Sequence, residues 1–332
     1  MTPAAPDPPA LLDGQGRRIT YLRLSLTDRC NFHCSYCAPA AREGSGPLMS
    51  RQEIRTLAGI FARLGIRRVR LTGGEPTLRR DLLGVVADVR GTPGIEEVAL
   101  TTNGHLLADL ARPLREAGVS RLNVSLDTLD PERLRRLAGP SATLERITRG
   151  LAEAARAGFD SLKTNAVVVM GENQGELGHL ARFAWRHGAI ARFIELMPFG
   201  PGEPVPTAEV KRLLEAQGVR LSPDETRGWG PARHMHGESD AAGERLSGLV
   251  GFIGAMTENF CGSCNRVRVG ADGALRACLG GRDRVPLLDL LRAGAGDAAL
   301  ATAVRGALLG KGERHAMAGG PPAAGSMMGI GG

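Results

Sequence analysis

Aromatic residues are scarce in this 332-residue chain: two Trp, two Tyr and eight Phe, 4% in all. That excludes the stacking platforms on which single-stranded nucleic acid is held. Lysine occurs only at positions 163, 211 and 311, so the 42 basic residues are nearly all arginine. Such a bias is compositional, and no arginine reads as a ligand on its type alone. Long apolar runs are missing too. Nothing approaches the roughly 18 consecutive apolar residues of a membrane span. The opening MTPAAPDPPALLDGQG has early prolines and no basic region, unlike a signal or transit peptide. A cytoplasmic protein without a membrane or nucleic-acid partner is therefore expected, and in that compartment cysteines more often bind metal than pair. Nucleotide fingerprints are lacking as well. No G-x-G-x-x-G follows a strand, and GALLGKG (306–312) departs from G-x4-G-K-[ST] in both spacing and last residue. Gly310 and Gly312 read instead as helix caps.

What is present is a chain with 42% hydrophobic residues, enough for a sizeable core, and a net charge of +7, which suits an anionic partner. From Ile19 a rhythm sets in. ITYLRLSL, RRVRLT, VALTT, RLNVSL, SLKTNAVVV and ARFIELM read as strands, each separated from the next by a helical pattern. Ser50 and Glu53 form a capping box at the first helix. A helix in LLADLARPLREAG is expected to be kinked at, or to start near, Pro113. Six βα units in a row predict an α/β fold, a partial (βα)6 barrel, over 19–200. A Pro/Gly linker then leads to a C-terminal α+β region over 201–315, whose polar stretch 222–248 carries no assignment. Residues 1–18 and the Gly-rich 316–332 are expected to be flexible.

Cys30, Cys34 and Cys37 form C-x3-C-x2-C directly after the first strand. Thiolates are soft ligands for iron–sulfur clusters, zinc or copper(I). Three can ligate a [4Fe–4S] cubane and leave one iron open, whereas zinc sites usually pair two C-x2-C halves. Cys261, Cys264 and Cys278 form a second triad, C-x2-C-x13-C. By spacing it is equally a cluster site or a zinc ribbon completed by His234, His236 or His315.

TDRCNFHCSYC followed by LTGGEPTLR resembles the radical S-adenosylmethionine (SAM) enzymes, and CNRVRVGADG resembles one subgroup, the GTP 3′,8-cyclases of molybdenum cofactor biosynthesis. The resemblance extends from about Ile19 to Gly332. It implies two [4Fe–4S] clusters, the first shared with SAM and the second with the guanine of GTP. It implies that Tyr36, Gly74, Ser125 and Met197 contact SAM. Arg23, Arg70, Thr101, Lys163, Arg266, Val267 and Arg268 are implied to hold GTP, and Arg192 follows by the same logic. Catalytic roles fall to Arg266, Arg268 and a terminal Gly331–Gly332 pair that reaches into the site. The expected product is (8S)-3′,8-cyclo-7,8-dihydroguanosine 5′-triphosphate. An external electron donor, a downstream cyclic pyranopterin monophosphate synthase and a homodimer are the further expected partners. Two departures stand out: Ala38 where the family commonly has Met, and Arg68 in place of an expected lysine. Alternatives are a radical SAM peptide modifier with an auxiliary cluster, or a zinc-ribbon module that binds nucleic acid.

Overall fold

The computed structural model describes residues 10–37, 48–225, 230–241, 243–317, 327 and 329–330. Along the chain, β1 (Tyr21–Ser25) is followed by α1 (Arg51–Arg63), β2 (Arg68–Thr72), α2 (Leu82–Arg90), β3 (Glu97–Thr102) and α3 (Leu107–Ala117). Next come β4 (Arg121–Ser125), α4 (Pro131–Ala138), α5 (Leu144–Ala157), β5 (Ser161–Val168), α6 (Leu177–Arg186) and β6 (Ile190–Glu195). The remainder comprises α7 (Thr207–Ala216), β7 (Arg220–Pro223), β8 (Arg233–Ala241), β9 (Glu244–Ile253), β10 (Arg266–Val269), β11 (Leu275–Arg276), α8 (Leu287–Arg292) and α9 (Asp297–Leu309). No helix among the described residues is long and apolar enough to cross a membrane.

Among the described residues the strands form one sheet in the order β11-β10-β1-β2-β3-β4-β5-β6-β9-β8-β7. Strands β1 to β6 run parallel, as six consecutive βα units require, and the sheet does not close on itself. The C-terminal region extends it at both edges: β10 lies parallel to β1 and β9 parallel to β6. One partial barrel therefore runs through both halves of the chain.

Strand alternation assigns the two faces. Leu22, Leu24, Val69, Leu71, Val98, Leu100, Leu122, Val124, Val267 and Val269 are buried in the main core against the helices. Their neighbours Arg23, Arg70, Thr101, Asn123 and Arg268 point the other way, into the lumen. The polar lumen is thus encoded residue by residue in β1, β2, β3, β4 and β10.

Local signals held for α1. Ser50 Oγ accepts from the Glu53 N–H at 3.2 Å, and Glu53 Oε2 accepts from the Ser50 N–H at 2.7 Å. Pro113 does not start α3, which begins at Leu107 and runs through it. The described part of the polar stretch 222–248 holds the end of β7, all of β8 and the first half of β9, an antiparallel extension. Its glycines hid it. Gly237 and Gly248 are register partners beneath the Trp185 indole, where a Cβ would approach the ring to 2.7 and 2.4 Å. Residues 10–18, expected as part of a flexible extension, are anchored at Leu11 and Asp13, both buried. The Gly14 N–H donates to Leu308 O at 3.1 Å. Of the tail, Met317, Met327 and Ile330 are buried against Tyr36, Leu196 and Phe199.

Candidate active site

The two cysteine triads lie at opposite ends of the strand axis. Cys30, Cys34 and Cys37 follow the C-terminal end of β1. Cys261 and Cys264 precede β10, whose Arg266 is level with Tyr21 at the start of β1. Strand β11 runs antiparallel to β10 and returns Cys278 to that same end. None of the six cysteines is in a disulfide.

The first triad sits in a loop whose backbone is held from several sides. His33 N–H and Ser35 N–H donate to Ala138 O and Leu137 O at 2.8 and 2.9 Å. Asn103 Nδ2 donates to Asn31 Oδ1 at 2.8 Å, and Ser141 Oγ donates to Asn31 O. Tyr36 is buried and donates its hydroxyl to Asp127 Oδ2 at 2.5 Å, while Asp127 Oδ1 accepts from the Val167 N–H. Burial pushes the Cys30 thiol up to about 11 and the Cys37 thiol up to about 12, and raises Cys34 well above its ordinary value. Partly buried thiols that, among the described residues, face carboxylates are thiolates only when a metal supplies the positive charge. That donor set fits a [4Fe–4S] cluster.

The G-G-E-P turn packs on the same loop. A Cβ on Gly74 would lie 2.2 Å from Arg29 O, and one on Gly73 2.6 Å from Thr27 O. Backbone thus approaches backbone just before Cys30, a requirement for glycine beyond any ligand contact. Glu75 is a positioning residue that motif reading left without a role. Its buried carboxylate accepts from Thr77 N–H and Oγ1, Thr102 Oγ1 and Asn103 N–H at 3.0, 2.6, 2.7 and 2.7 Å. Desolvation still raises its pKa.

Against the second triad lies a cavity with about 1140 Å³ of atom-free space, its open mouth included. Its wall carries Arg23, Arg70, Thr101, Arg192, Met197, Arg266, Arg268 and all three C-terminal cysteines. Arg23, Arg70 and Arg268 occupy one register level across β10, β1 and β2. Arg70 donates from Nε to Tyr21 Oη at 2.5 Å and from Nη1 to Thr101 Oγ1 at 3.1 Å. Arg192 Nε donates to Asn165 Oδ1 at 2.9 Å, and the Arg266 guanidinium lies 4.7 Å from the Phe260 ring centroid. Burial, reinforced by neighbouring arginines, depresses Arg192 to about 9 and Arg268 to about 10, and pulls Arg23 well down. Cations crowded at this density are repelled by one another and complemented by a polyanion.

Two of the residues expected to hold GTP, Lys163 and Val267, stand apart from that wall. Lys163 is buried in register with Asn123, just off the cavity, and desolvation together with Arg192 and Arg70 brings it down to about 7. Val267 turns its side chain into the core, leaving only its main chain on the cavity side of β10. Ser125 ends β4 level with Asn165 of β5. Gly331 and Gly332 lie outside the described residues.

The second triad differs electrically from the first. Burial opposes ionisation of Cys264, but Arg266 and Lys311 outweigh it and bring the thiol down to about 7. Among the described residues no three His, Cys, Asp or Glu side chains converge to hold a single metal ion. His315 has both ring nitrogens engaged, Nε2 with Ala255 O at 2.9 Å and Nδ1 with the Met317 N–H at 3.3 Å. A zinc ribbon completed by His315 would have to break these bonds. A four-iron cubane is wider than one ion, and three thiols spread around a cavity suit it.

Comparison with known proteins agrees with this geometry. Residues 24–184 match the model of the radical SAM superfamily, and residues 189–317 match the Molybdenum Cofactor Synthesis C model. In fold, the chain is similar to Streptococcus suis SuiB solved with S-adenosylmethionine, with TM-score 0.60 and 16% identity over 86% of this chain and 68% of that one. It is therefore built as a radical SAM enzyme, which carries with it SAM and a [4Fe–4S] cluster as cofactors. A GTP 3′,8-cyclase of Heliobacterium modesticaldum is 41% identical, over 92% of this chain and 95% of its own length. One of Aeromonas hydrophila is 43% identical, over 92% and 91%. The chain belongs to the GTP 3′,8-cyclase family of molybdenum cofactor biosynthesis.

Proposed function

We propose that the protein converts GTP to (8S)-3′,8-cyclo-7,8-dihydroguanosine 5′-triphosphate in the cytoplasm. The cationic cavity lined by the second cysteine triad carries this reading. It offers anion-binding side chains and carries Cys261, Cys264 and Cys278 on its wall, while Cys30, Cys34 and Cys37 follow the opposite end of the strands. In the proposed assignment Cys30, Cys34 and Cys37 hold the SAM-binding cluster, and Gly74, Tyr36, Ser125 and Met197 line the SAM side. Cys261, Cys264 and Cys278 hold a second [4Fe–4S] cluster against the guanine. When bound, the first cluster and SAM supply a radical that can remove a hydrogen from the ribose.

The chain's own residues do the orienting. Arg23, Arg70, Arg266 and Arg268 grip the triphosphate through charge-assisted hydrogen bonds, with Arg192 and Lys163 adding positive potential. Thr101 and Tyr21 fix the Arg70 guanidinium, so this cation is preorganised before substrate arrives. Held at both ends, the nucleotide keeps its C3′ toward the SAM side, and filling the lumen keeps water from a reactive radical. Arg266 and Arg268, closest to the second triad, are assigned to the ring-closing chemistry, together with Gly331 and Gly332. An external donor supplies electrons, a cyclic pyranopterin monophosphate synthase consumes the product, and a homodimer is the proposed assembly.

Anaerobic incubation with GTP, SAM and dithionite, followed by mass spectrometry, tests the reading. The cyclised nucleotide is expected together with 5′-deoxyadenosine. Cleavage of SAM that GTP does not alter, with no nucleotide product, would refute it.

A further inference from the structure

We propose that Lys311 is a positioning residue of the second cysteine site, fixing the Cys264–Arg266 turn and setting the reduction potential of the cluster held there. The inference rests on the reading that this triad holds a cluster. Lys311 directly follows α9 and its turn, and only 3% of it is exposed. Its Nζ donates to Arg266 O at 2.6 Å and to Cys264 Sγ at 3.5 Å. One buried amine therefore ties a cluster ligand to the main chain of the residue that faces the cavity two positions later.

A second clamp backs it from the otherwise unassigned N-terminal segment. Arg17 Nη1 donates to Cys261 O at 2.7 Å and to Glu313 O at 3.1 Å, and Nη2 donates to Gly312 O at 2.8 Å. Asp13 aims this guanidinium, accepting from Arg17 Nε at 2.7 Å and from the Arg17 N–H at 3.0 Å. Gly14 has no room for a Cβ, which would meet Leu309 O at 2.1 Å, so the segment is seated on the end of α9. Residues 13–17, 261–266 and 308–313 thus meet around the second triad, presenting donors to its carbonyls and to one of its sulfurs. At the first triad, among the described residues, the carboxylates Asp127 and Glu75 act on Cys34 and Cys30.

Hydrogen bonds and positive charge at a ligating sulfur favour the more negative, reduced cluster and raise its potential. The couple concerned is the one-electron reduction of the [4Fe–4S] centre, with dithionite as donor. Lys311→Met keeps the chain length but removes both the donor and the charge, whereas Lys311→Arg retains them.

The test reads the second cluster alone, in a full-length background carrying Cys30→Ala, Cys34→Ala and Cys37→Ala, reconstituted anaerobically and titrated by electron paramagnetic resonance. At a fixed potential, Lys311→Met is expected to lower the ratio of reduced to oxidised cluster about tenfold, about 59 mV for one electron. Lys311→Arg is expected to stay near the parent. Loss of the cluster from Lys311→Met with retention in Lys311→Arg also supports the proposal. Equal potentials in parent and Lys311→Met, or loss of the cluster from both variants, overturn it. A parent background that binds no iron overturns instead the reading of the triad as a cluster site.

Discussion

Replacing Lys163 by Met should make the protein more stable without GTP and worse at binding it. Lys163 is buried, and its folded pKa of about 7 stands against an ordinary 10.5, chiefly from desolvation and then from Arg192 and Arg70. At about 1.4 kcal/mol per pKa unit, holding it charged costs up to about 5 kcal/mol. The sign follows from proton counting. Below pH 7 both states are protonated and the penalty is full. Between pH 7 and 10.5 the folded state has released its proton and the unfolded state has not, so stability rises with pH and the penalty fades. Methionine has nearly the same length and no charge. The variant is therefore expected to gain about 2–5 kcal/mol at pH 6.5, with the advantage shrinking toward pH 10. GTP binding should weaken about tenfold, the loss of one positive charge beside the cavity. Denaturant unfolding at several pH values, with calorimetric GTP titration at neutral pH, measures both. A destabilised Lys163→Met, or a gain that does not depend on pH, would refute the electrostatic account.

Further substitutions separate the two cysteine triads. Cys30→Ala should abolish 5′-deoxyadenosine formation and reduce bound iron from about eight to about four atoms per chain; retained SAM cleavage would count against its role. Cys264→Ala or Arg266→Ala should keep uncoupled SAM cleavage yet lose the GTP-derived product, as mass spectrometry would reveal. Gly74→Ala sets a Cβ against Arg29 O, so the backbone before Cys30 must shift. The expected result is loss of the first cluster with the far-ultraviolet circular dichroism unchanged. Glu75→Gln places an amide N–H where a carboxylate accepted a hydrogen bond, and should lower stability by about 1–3 kcal/mol, read by thermal unfolding.

Much of the fold was legible because strand and helix periodicity is local. The alternation of Leu22, Arg23 and Leu24 already assigns one face to the helices and the other to a cationic lumen. The count and spacing of Cys30, Cys34 and Cys37 already point to the proposed site with three protein ligands. Residues 222–248 were not legible, because Gly237 and Gly248 break the strand pattern for the sake of an indole supplied by α6. Lys311 read as part of a helix end because its partners, Cys264 Sγ and Arg266 O, belong to another segment.

The sequence by itself determined the βα order, the two cysteine triads and the set of cations able to face an anion. Tertiary structure alone decided how these parts meet. Pairing β10 with β1 brings Arg268 level with Arg23 and Arg70, and places the second triad at the opposite end of the strands from the first. It also decided that Arg17 and Lys311 converge on that second triad. Register between distant strands and the docking of chain ends come from long-range packing, and no local period records them.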